Sequence, residues 1–293
     1  MPAVLLNPDA SALGTAQALL RGTGYQYEVR DFPGPLSVKT VVRGRARWKT
    51  DDGDFWVDEG ALLVLNDQQP YSITVDSRQK VETCCVFFQR GFVESVHEAL
   101  IAAPETLLDQ PFRAAPRVRF AVGLQIGDSP LLRKFKAISH AASCGSATQA
   151  WLEEQLLLAA RDVASLREET LRQIARVPAA RSSTREEVFK RLCRAREFMH
   201  ACQDQPVHLD DISRAACLSP YHLHRAFKQV FHETPHEFLA RIRVEQATRL
   251  LLNTDLPVTE ICLHAGFESL GTFSTMFRRR FGKSPRQYRN SLG

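Results

Sequence analysis

The sequence predicts a multi-domain α+β protein: an N-terminal β-barrel followed by helices, then an all-α domain of two helix-turn-helix units joined by a long helix. Three observations support this fold class. Residues 25–88 contain short β-favouring runs, the apolar period becomes helical after residue 92, and a helical pattern is duplicated after residue 208. The 293 residues also exceed the roughly 250 at which single cores usually stop growing.

Seven β-favouring runs make up the predicted barrel. Turn sequences such as Asp51-Asp52-Gly53 and the segment 66–70 separate them. Short strands at this spacing are typical of a jelly roll or a small barrel. The adjacent Cys84 and Cys85 should point to opposite faces of the last strand, because side chains alternate along a strand. The runs are 25–30, 36–42, 46–49, 54–57, 61–65, 71–75 and 81–88.

Helical periodicity follows in residues 92–101, 130–142 and 151–174. The third helix carries an apolar seam at steps of four and three, the spacing of a helix-packing face. This seam would either cover the barrel or meet a second subunit, and we favour a contribution to a homodimer. The seam residues are Leu152, Leu156, Ala159, Val163 and Leu166.

The positive charge of the chain is concentrated in its C-terminal part. Residues 181–293 hold 18 Lys and Arg against 12 Asp and Glu, a balance of +6, whereas residues 1–180 hold 20 against 21. A basic segment suits a polyanion, because neutralised phosphates release counterions. A mildly basic, solvated surface would give the same balance.

Composition excludes several protein classes. No apolar run approaches the roughly 18 residues of a membrane span, and the first ten residues lack a basic region before a long apolar one. We therefore expect a cytoplasmic protein without a membrane partner. The chain has seven cysteines, and the four of the C-terminal part show no CxxC spacing of the kind that binds metal. This predicts reduced, packed thiols.

The C-terminal part contains a duplicated pattern at an offset of 49, which becomes 50 after one inserted residue. The insertion falls between two helical segments, where a turn can absorb it. The matched pairs are Ile212 with Ile261, Cys217 with Gly266, Leu218 with Phe267, Ser219 with Ser269, Leu223 with Phe273, Phe227 with Phe277, Phe231 with Phe281, Pro235 with Pro285 and Phe238 with Tyr288.

Each copy has the pattern of a helix-turn-helix. In the first copy Ser219 is placed to cap the second helix, and Pro220 occupies its first position, where a missing N–H costs nothing. The second helix of such a unit enters the major groove of DNA. The pattern 236–252 predicts a continuous helix of 17 residues between the units, about 25 Å long at ~1.5 Å per residue. That length suits two successive major grooves on one side of a duplex.

Four stretches carry a family resemblance: Ser219-Pro-Tyr-His-Leu-His-Arg-Ala-Phe-Lys228, Ala265-Gly-Phe-Glu-Ser269, Phe273 to Phe277, and Phe281-Gly-Lys-Ser-Pro-Arg-Gln-Tyr-Arg289. They closely resemble the DNA-binding domain of AraC/XylS-type transcriptional regulators, many of which carry an N-terminal cupin-like effector barrel and dimerisation helices. The resemblance implies a cupin-like effector-sensing and dimerisation domain at 1–177, a linker at 178–185 and a DNA-binding domain at 186–292. The helix-turn-helix units would span about 208–231 and 257–281.

The resemblance also implies the residues that contact DNA. Arg225 has the chemistry for a bidentate contact to guanine, whereas Leu270 and Gly271 bring no hydrogen bonds, so the second helix should read thymine methyls and DNA shape. The base-reading positions carried over are Tyr221, His224, Arg225, Leu270, Gly271, Thr272, Ser274 and Thr275. The phosphate candidates are Lys228, Arg278, Arg279, Lys283 and Arg286, each of which could equally be a solvated surface cation.

The barrel is expected to hold a small effector, since small barrels accommodate one ligand. Trp48, Trp56 and Tyr71 are candidate lining residues, although aromatic side chains also simply fill cores. Tyr71 stands where metal-binding cupins usually have a histidine, and no His precedes His97. We therefore expect no metal, no cofactor and no enzyme activity.

The predicted function is a DNA-binding transcriptional regulator with an effector-responsive barrel. Its expected partners are double-stranded promoter DNA, a small-molecule effector, a second copy of the chain and RNA polymerase. Two alternatives stay open: an architectural DNA-binding protein without effector control, and a DNA-binding protein with a catalytic barrel.

Overall fold

The computed structural model describes residues 3–102, 119 and 123–291, and the contacts of the chain separate it into two units, Met1–Arg172 and Gln173–Gly293. Within these residues the first unit contains a β-sheet and three α-helices, and the second is helical. The coarse prediction of a mixed α+β chain with an N-terminal sheet and a C-terminal helical domain is confirmed. Within the described residues, no helix has the combination of length and apolar character that a membrane crossing demands.

Eight strands form the sheet of the first unit in the part of the chain that the structure describes. Two of them, β2 and β7, are 16 and 18 residues long, far longer than the runs seen in the sequence. The strands are β1 (Leu5–Leu6), β2 (Ala18–Pro33), β3 (Ser37–Arg43), β4 (Arg45–Thr50), β5 (Gly53–Asp58), β6 (Ala61–Leu65), β7 (Pro70–Phe87) and β8 (Gly123–Ile126).

The two runs 71–75 and 81–88 belong to a single strand, β7, instead of two strands separated by a turn. Antiparallel pairing with β2 holds it extended from Phe87, opposite Ala18, to Pro70, opposite Pro33. The polar residues 77–80 are absorbed as a register shift in this ladder. Long-range pairing therefore overrides the local turn preference of this segment.

The sheet is open. Its strand order is β1-β2-β7-β3-β6-β8, and the β4–β5 hairpin branches from β7 through β4. Among residues 3–102 and 123–291, no backbone ladder joins the two ends of this order, so the closed ring that a barrel requires is absent.

Each face of the sheet covers its own hydrophobic core. On one face, Val38, Val86 and Cys84 pack with the helices α1 (Phe92–Ile101), α2 (Pro130–Ser143) and α3 (Gln149–Ala175). On the other face, Trp48 and Cys85 pack in a core that the hairpin strands β4 and β5 help to enclose. This second core is called the inner core below. Cys84 and Cys85 thus face opposite sides, as the strand alternation predicts.

The apolar seam of α3 is used inside the chain. Leu152, Leu156, Ala159 and Val163 are almost completely buried in the core between the helices and the sheet, and Leu166 packs against it. The seam therefore covers the sheet, and the interpretation that it meets a second subunit loses its basis. Exposed apolar residues of the same helix, such as Leu157, lie off this seam.

The second unit contains seven helices within its described residues. They are α4 (Ser182–Ala201), α5 (Leu209–Ala216), α6 (Pro220–Phe231), α7 (Pro235–Asn253), α8 (Val258–His264), α9 (Leu270–Phe281) and α10 (Pro285–Asn290). Helix α7 has 19 residues, which corresponds to about 28 Å at ~1.5 Å per residue. The other helices of this unit form two groups, one before and one after α7.

Candidate DNA-binding site

The first helix-turn-helix consists of α5, a tight turn and α6. The turn places Cys217 in the left-handed region, with φ 51° and ψ 42°, and Arg191 donates a hydrogen bond of 3.1 Å to its carbonyl. Ser219 Oγ then accepts from the His222 N–H at 3.3 Å, and Pro220 begins the helix. Together the turn and the cap set the direction of α6.

The apolar face of α6 anchors it. Leu223, Phe227 and Val230 are fully buried, and the Phe227 ring lies 4.8 Å from Phe231 and 5.7 Å from Phe238 of α7. The opposite face is exposed: Tyr221 is 69% accessible. His224, Arg225 and Lys228 are exposed on the same helix. All of the base-reading candidates of this helix are therefore on the solvent side of a rigid support.

The second helix-turn-helix has the same construction. Gly266 occupies the turn with φ 80°, and Ser269 Oγ accepts from the Thr272 N–H at 3.1 Å. Phe273 and Phe277 are fully buried, and the rings of Phe277, Phe281 and Tyr288 pack between α9 and α10 in tilted and edge-to-face arrangements.

The predicted base-reading residues of α9 have unequal access. Leu270, Gly271, Thr272 and Thr275 are exposed, and Ser274 is half-buried. The Thr272 hydroxyl already accepts a hydrogen bond of 2.9 Å from Ser269 Oγ. The exposed base-reading candidates of α9 are therefore apolar or small, which favours contact with methyl groups and groove shape over hydrogen bonding to bases.

The candidate phosphate-binding cations lie on exposed surface without close carboxylates. Over the described part of the chain, no carboxylate lies within 4 Å of any of them, nor of Arg225. By contrast, Arg241 of α7 pairs with Glu233 at 2.9 Å and with Glu245 at 3.2 Å. The exposed cations in question are Lys228, Arg278, Arg279, Lys283 and Arg286.

One carboxylate, that of Glu237, interacts electrostatically with cations of both α6 and α9. Hydrogen bonds from the backbone and side chain of Thr234 lower the pKa of Glu237, and the charges of Lys228 in α6 and Arg279 in α9 lower it further. Glu237 lies in the first turn of α7. Positive side chains of α6 and α9 therefore both lie within electrostatic range of the beginning of the connecting helix.

The sequence patterns did not reveal the contacts that support this arrangement. Arg243 of α7 donates to the carbonyl of Gln203 at 2.8 Å and to that of Gln205 at 2.6 Å. A Cβ added to Gly266 would lie 2.1 Å from the same Gln203 oxygen. The loop after α4 and the turn of the second helix-turn-helix therefore meet at Arg243. Matching Gly266 with Cys217 in the repeat identified the turn but not this contact.

A second missed residue lies in the core of the first helix-turn-helix. The Arg196 guanidinium lies over the rings of Phe231, at 4.8 Å, and Phe238, at 5.3 Å, and its burial lowers the pKa of Arg196. Burial also opposes the charge of Arg241, but its bonds to Glu233 and Glu245 outweigh that effect and raise the pKa of Arg241. Both guanidiniums brace α7 and are not available to DNA.

The structure divides the three candidate effector residues. Trp48 and Tyr71 are buried in the inner core. Trp56 is 37% exposed and stacks under the Arg45 guanidinium at 4.2 Å, so the expectation that it lines the interior is wrong. Its neighbours Phe55 and Val57 point inward, and strand alternation then turns Trp56 to the outside.

The described side chains form no cluster suited to a metal ion. Within residues 3–102, 119 and 123–291, His, Cys, Asp and Glu do not come together in groups of three or more. His222 and His224 are both exposed on α6, two residues apart, where side chains point in different directions.

The chain is similar to several known proteins. A helix-turn-helix domain family matches residues 212–291. The regulatory protein SoxS of Salmonella typhimurium is 35% identical over 89 residues, which are 30% of this chain and 83% of SoxS. The HTH-type transcriptional regulator AlkR of Acinetobacter baylyi is 24% identical over 272 residues, 87% of each chain. An AraC-type transcriptional regulator structure from Chromobacterium violaceum is 32% identical, with a TM-score of 0.33, and covers 34% of this chain and 89% of that one. The chain belongs to the AraC family of DNA-binding transcriptional regulators.

Proposed function

We propose that this regulator reads a bipartite promoter site with α6 and α9, and that a small effector held by the N-terminal unit controls its binding. One observation carries the DNA-reading proposal: two capped helices, each anchored by buried phenylalanines, expose their other faces beside cations that lack ion-pair partners among the described residues. Exposed cations with no carboxylate within 4 Å favour phosphate binding, because no close ion pair has to be broken when DNA binds.

The two helices would have different roles. Arg225, with Tyr221 and His224 beside it, would make the hydrogen-bonded contacts to base edges. Helix α9 would contribute less discrimination, through the methyl and shape contacts of Leu270, Thr272 and Thr275 together with Gly271 and Ser274. The phosphate contacts would come from Lys228, Arg278, Arg279, Lys283 and Arg286.

The proposal is tested on DNA selected by the protein itself from a random library. We expect Arg225→Ala to cost about 1–3 kcal/mol on the selected site and little on random DNA, because a base contact is lost. Lys228→Ala should weaken both DNAs similarly and reduce the salt slope by about 1. Arg133→Ala, which removes one positive charge from the other unit, is the matched control.

Equal losses for Arg225→Ala on both DNAs would move this residue to the phosphate-binding class. A ratio of specific to random affinity near one for the unaltered protein would favour the architectural alternative.

The effector part of the proposal rests on the inner core. Trp48 and Tyr71 are large side chains that bring polar atoms into an otherwise apolar core, and ligand sites are mostly apolar with a few polar groups. Effector binding would act as a population shift between states with different affinity for DNA. A homodimer and a contact with RNA polymerase stay predictions.

A further inference from the structure

Lys39 is a cation inside the inner core. It lies on β3, between Leu63 of β6 and Cys85 of β7 in the strand register, and its side chain is completely buried. Its ammonium donates one hydrogen bond, to the Tyr71 hydroxyl at 2.9 Å. Burial lowers the pKa of Lys39 to about 8. A buried lysine is rare unless it is paired, so its partners matter.

The partners of Lys39 are rings, not carboxylates. Its Nζ lies 3.7 Å from the centroid of the Phe87 ring and 4.3 Å from that of Tyr71. No Asp or Glu of the described residues forms an ion pair with it. Ring faces attract a cation, but they leave its other N–H donors without strong acceptors.

Trp48 supplies a second donor in the same core. Its Nε1 is buried and has no acceptor among the residues that the structure describes. Trp48 lies opposite Ile73 on the neighbouring strand, and Tyr71 is the diagonal neighbour two residues along. Cross-strand diagonal neighbours are within reach of aromatic side chains. An ammonium and an indole N–H are therefore both buried beside Tyr71 in one core, and the indole N–H has no acceptor among the described residues.

We propose that the inner core binds the carboxylate of a small organic acid, with Lys39 as the ion-pair partner and Trp48 as a second hydrogen-bond donor. This inference rests on the proposed effector function and names the class of effector. A ligand oxyanion satisfies both donors at once, and leaving them unsatisfied inside the protein is costly.

The single charge of Lys39 selects a carboxylate over a phosphate ester. A carboxylate cancels one positive charge, whereas the second charge of a phosphate monoester would be left uncompensated in an apolar interior. The apolar body of the acid would contact the rings of Phe87 and Tyr71, which lie beside the ammonium. Trp56 takes no part, because it faces solvent.

The test uses the full chain and three probes: formate, acetate and benzoate, with benzamide as the neutral counterpart of benzoate. Binding is measured as a shift in melting temperature and as a change in tryptophan fluorescence. We expect the carboxylates, and not benzamide, to bind. Lys39→Met should weaken benzoate roughly 10- to 100-fold and Trp48→Phe roughly 2- to 10-fold, the effects of losing a charged and a neutral hydrogen bond.

Lys49→Met is the matched control, because Lys49 is exposed on the same sheet. This variant should bind benzoate as tightly as the unaltered protein does. Equal benzoate affinity in Lys39→Met, equal binding of benzamide, or no response to any carboxylate at millimolar concentration would overturn the inference. DNA affinity is measured separately on the selected site. Carboxylate binding without specific DNA binding would contradict the proposed function alone, and specific DNA binding without carboxylate binding would contradict this inference alone.

Discussion

Three glycines of the second helix-turn-helix allow the cost of its close packing to be separated into parts. Gly266 has φ 80° and would place a Cβ 2.1 Å from the Gln203 carbonyl oxygen. Gly282 has φ 72° but nothing within 4 Å of an added Cβ. Gly271 lies inside α9 with open space around it and ordinary helical geometry. Alanine at Gly266 therefore tests backbone strain together with a steric clash, and alanine at Gly282 tests backbone strain alone. Alanine at Gly271 introduces neither effect.

The expected effects on the free energy of unfolding differ in sign. Gly271→Ala should stabilise by up to about 1 kcal/mol, because alanine has the higher helix propensity. Gly282→Ala should cost about 1–2 kcal/mol, the penalty of a left-handed backbone for a residue with a Cβ. Gly266→Ala should cost a further 1–3 kcal/mol or so, since a backbone carbonyl must move to relieve the overlap.

Urea unfolding of the full chain, followed by the helical circular dichroism signal, measures these differences. The informative quantity is the gap between Gly266→Ala and Gly282→Ala. If the two variants lose the same stability, the turn of the second helix-turn-helix does not press against the loop after α4. The account of how Arg243 and Gly266 join the loop after α4 to the turn of the second helix-turn-helix would then be refuted.

Two further predictions concern the N-terminal unit. Leu156→Ala should cost about 2–5 kcal/mol and leave the oligomeric state unchanged, because the seam of α3 faces the sheet, whereas Leu157→Ala should have little effect on stability. Equal effects of both, with a changed sedimentation profile, would return the seam to a subunit interface. Lys39→Met should stabilise the protein most below pH 8, and this advantage should shrink by on the order of 3 kcal/mol by pH 10.5. The sign follows because the pKa of Lys39 is lowered on folding, so the unfolded chain binds more protons between pH 8 and 10.5 and the unaltered protein gains stability as the pH rises through that window. A difference between the two urea midpoints that does not change with pH would contradict a charged, buried Lys39.

Much of the DNA-binding site follows from local patterns. The steps of four between Leu223, Phe227 and Phe231 place Tyr221 and Arg225 outside the apolar face, and that arrangement holds in the structure. Helix periodicity and helix caps depend on about a dozen neighbouring residues, so they can be predicted without tertiary information. The repeat also identified Gly266 as a turn position.

The N-terminal unit shows where local patterns fail. Residues 77–80 have the composition of a turn, yet pairing with β2 keeps them within one long strand. The aromatic ring of Trp56 favours an interior position, but strand alternation with the inward Phe55 and Val57 places it outside. Strand pairing depends on residues far apart in the chain, so a single segment does not reveal it.

Local sequence patterns suffice to predict an N-terminal part with β structure, a helical C-terminal part, the duplicated helix-turn-helix and the exposed faces of α6 and α9. Tertiary contacts alone reveal that no ladder closes the sheet within the described residues, that the seam of α3 is internal, and that Lys39 is buried against Phe87 and Tyr71. The cause is the different range of these interactions. The amphipathic pattern and the caps of a helix are set by adjacent residues. The burial of Lys39 depends instead on which strands and rings, distant in the chain, pack around it.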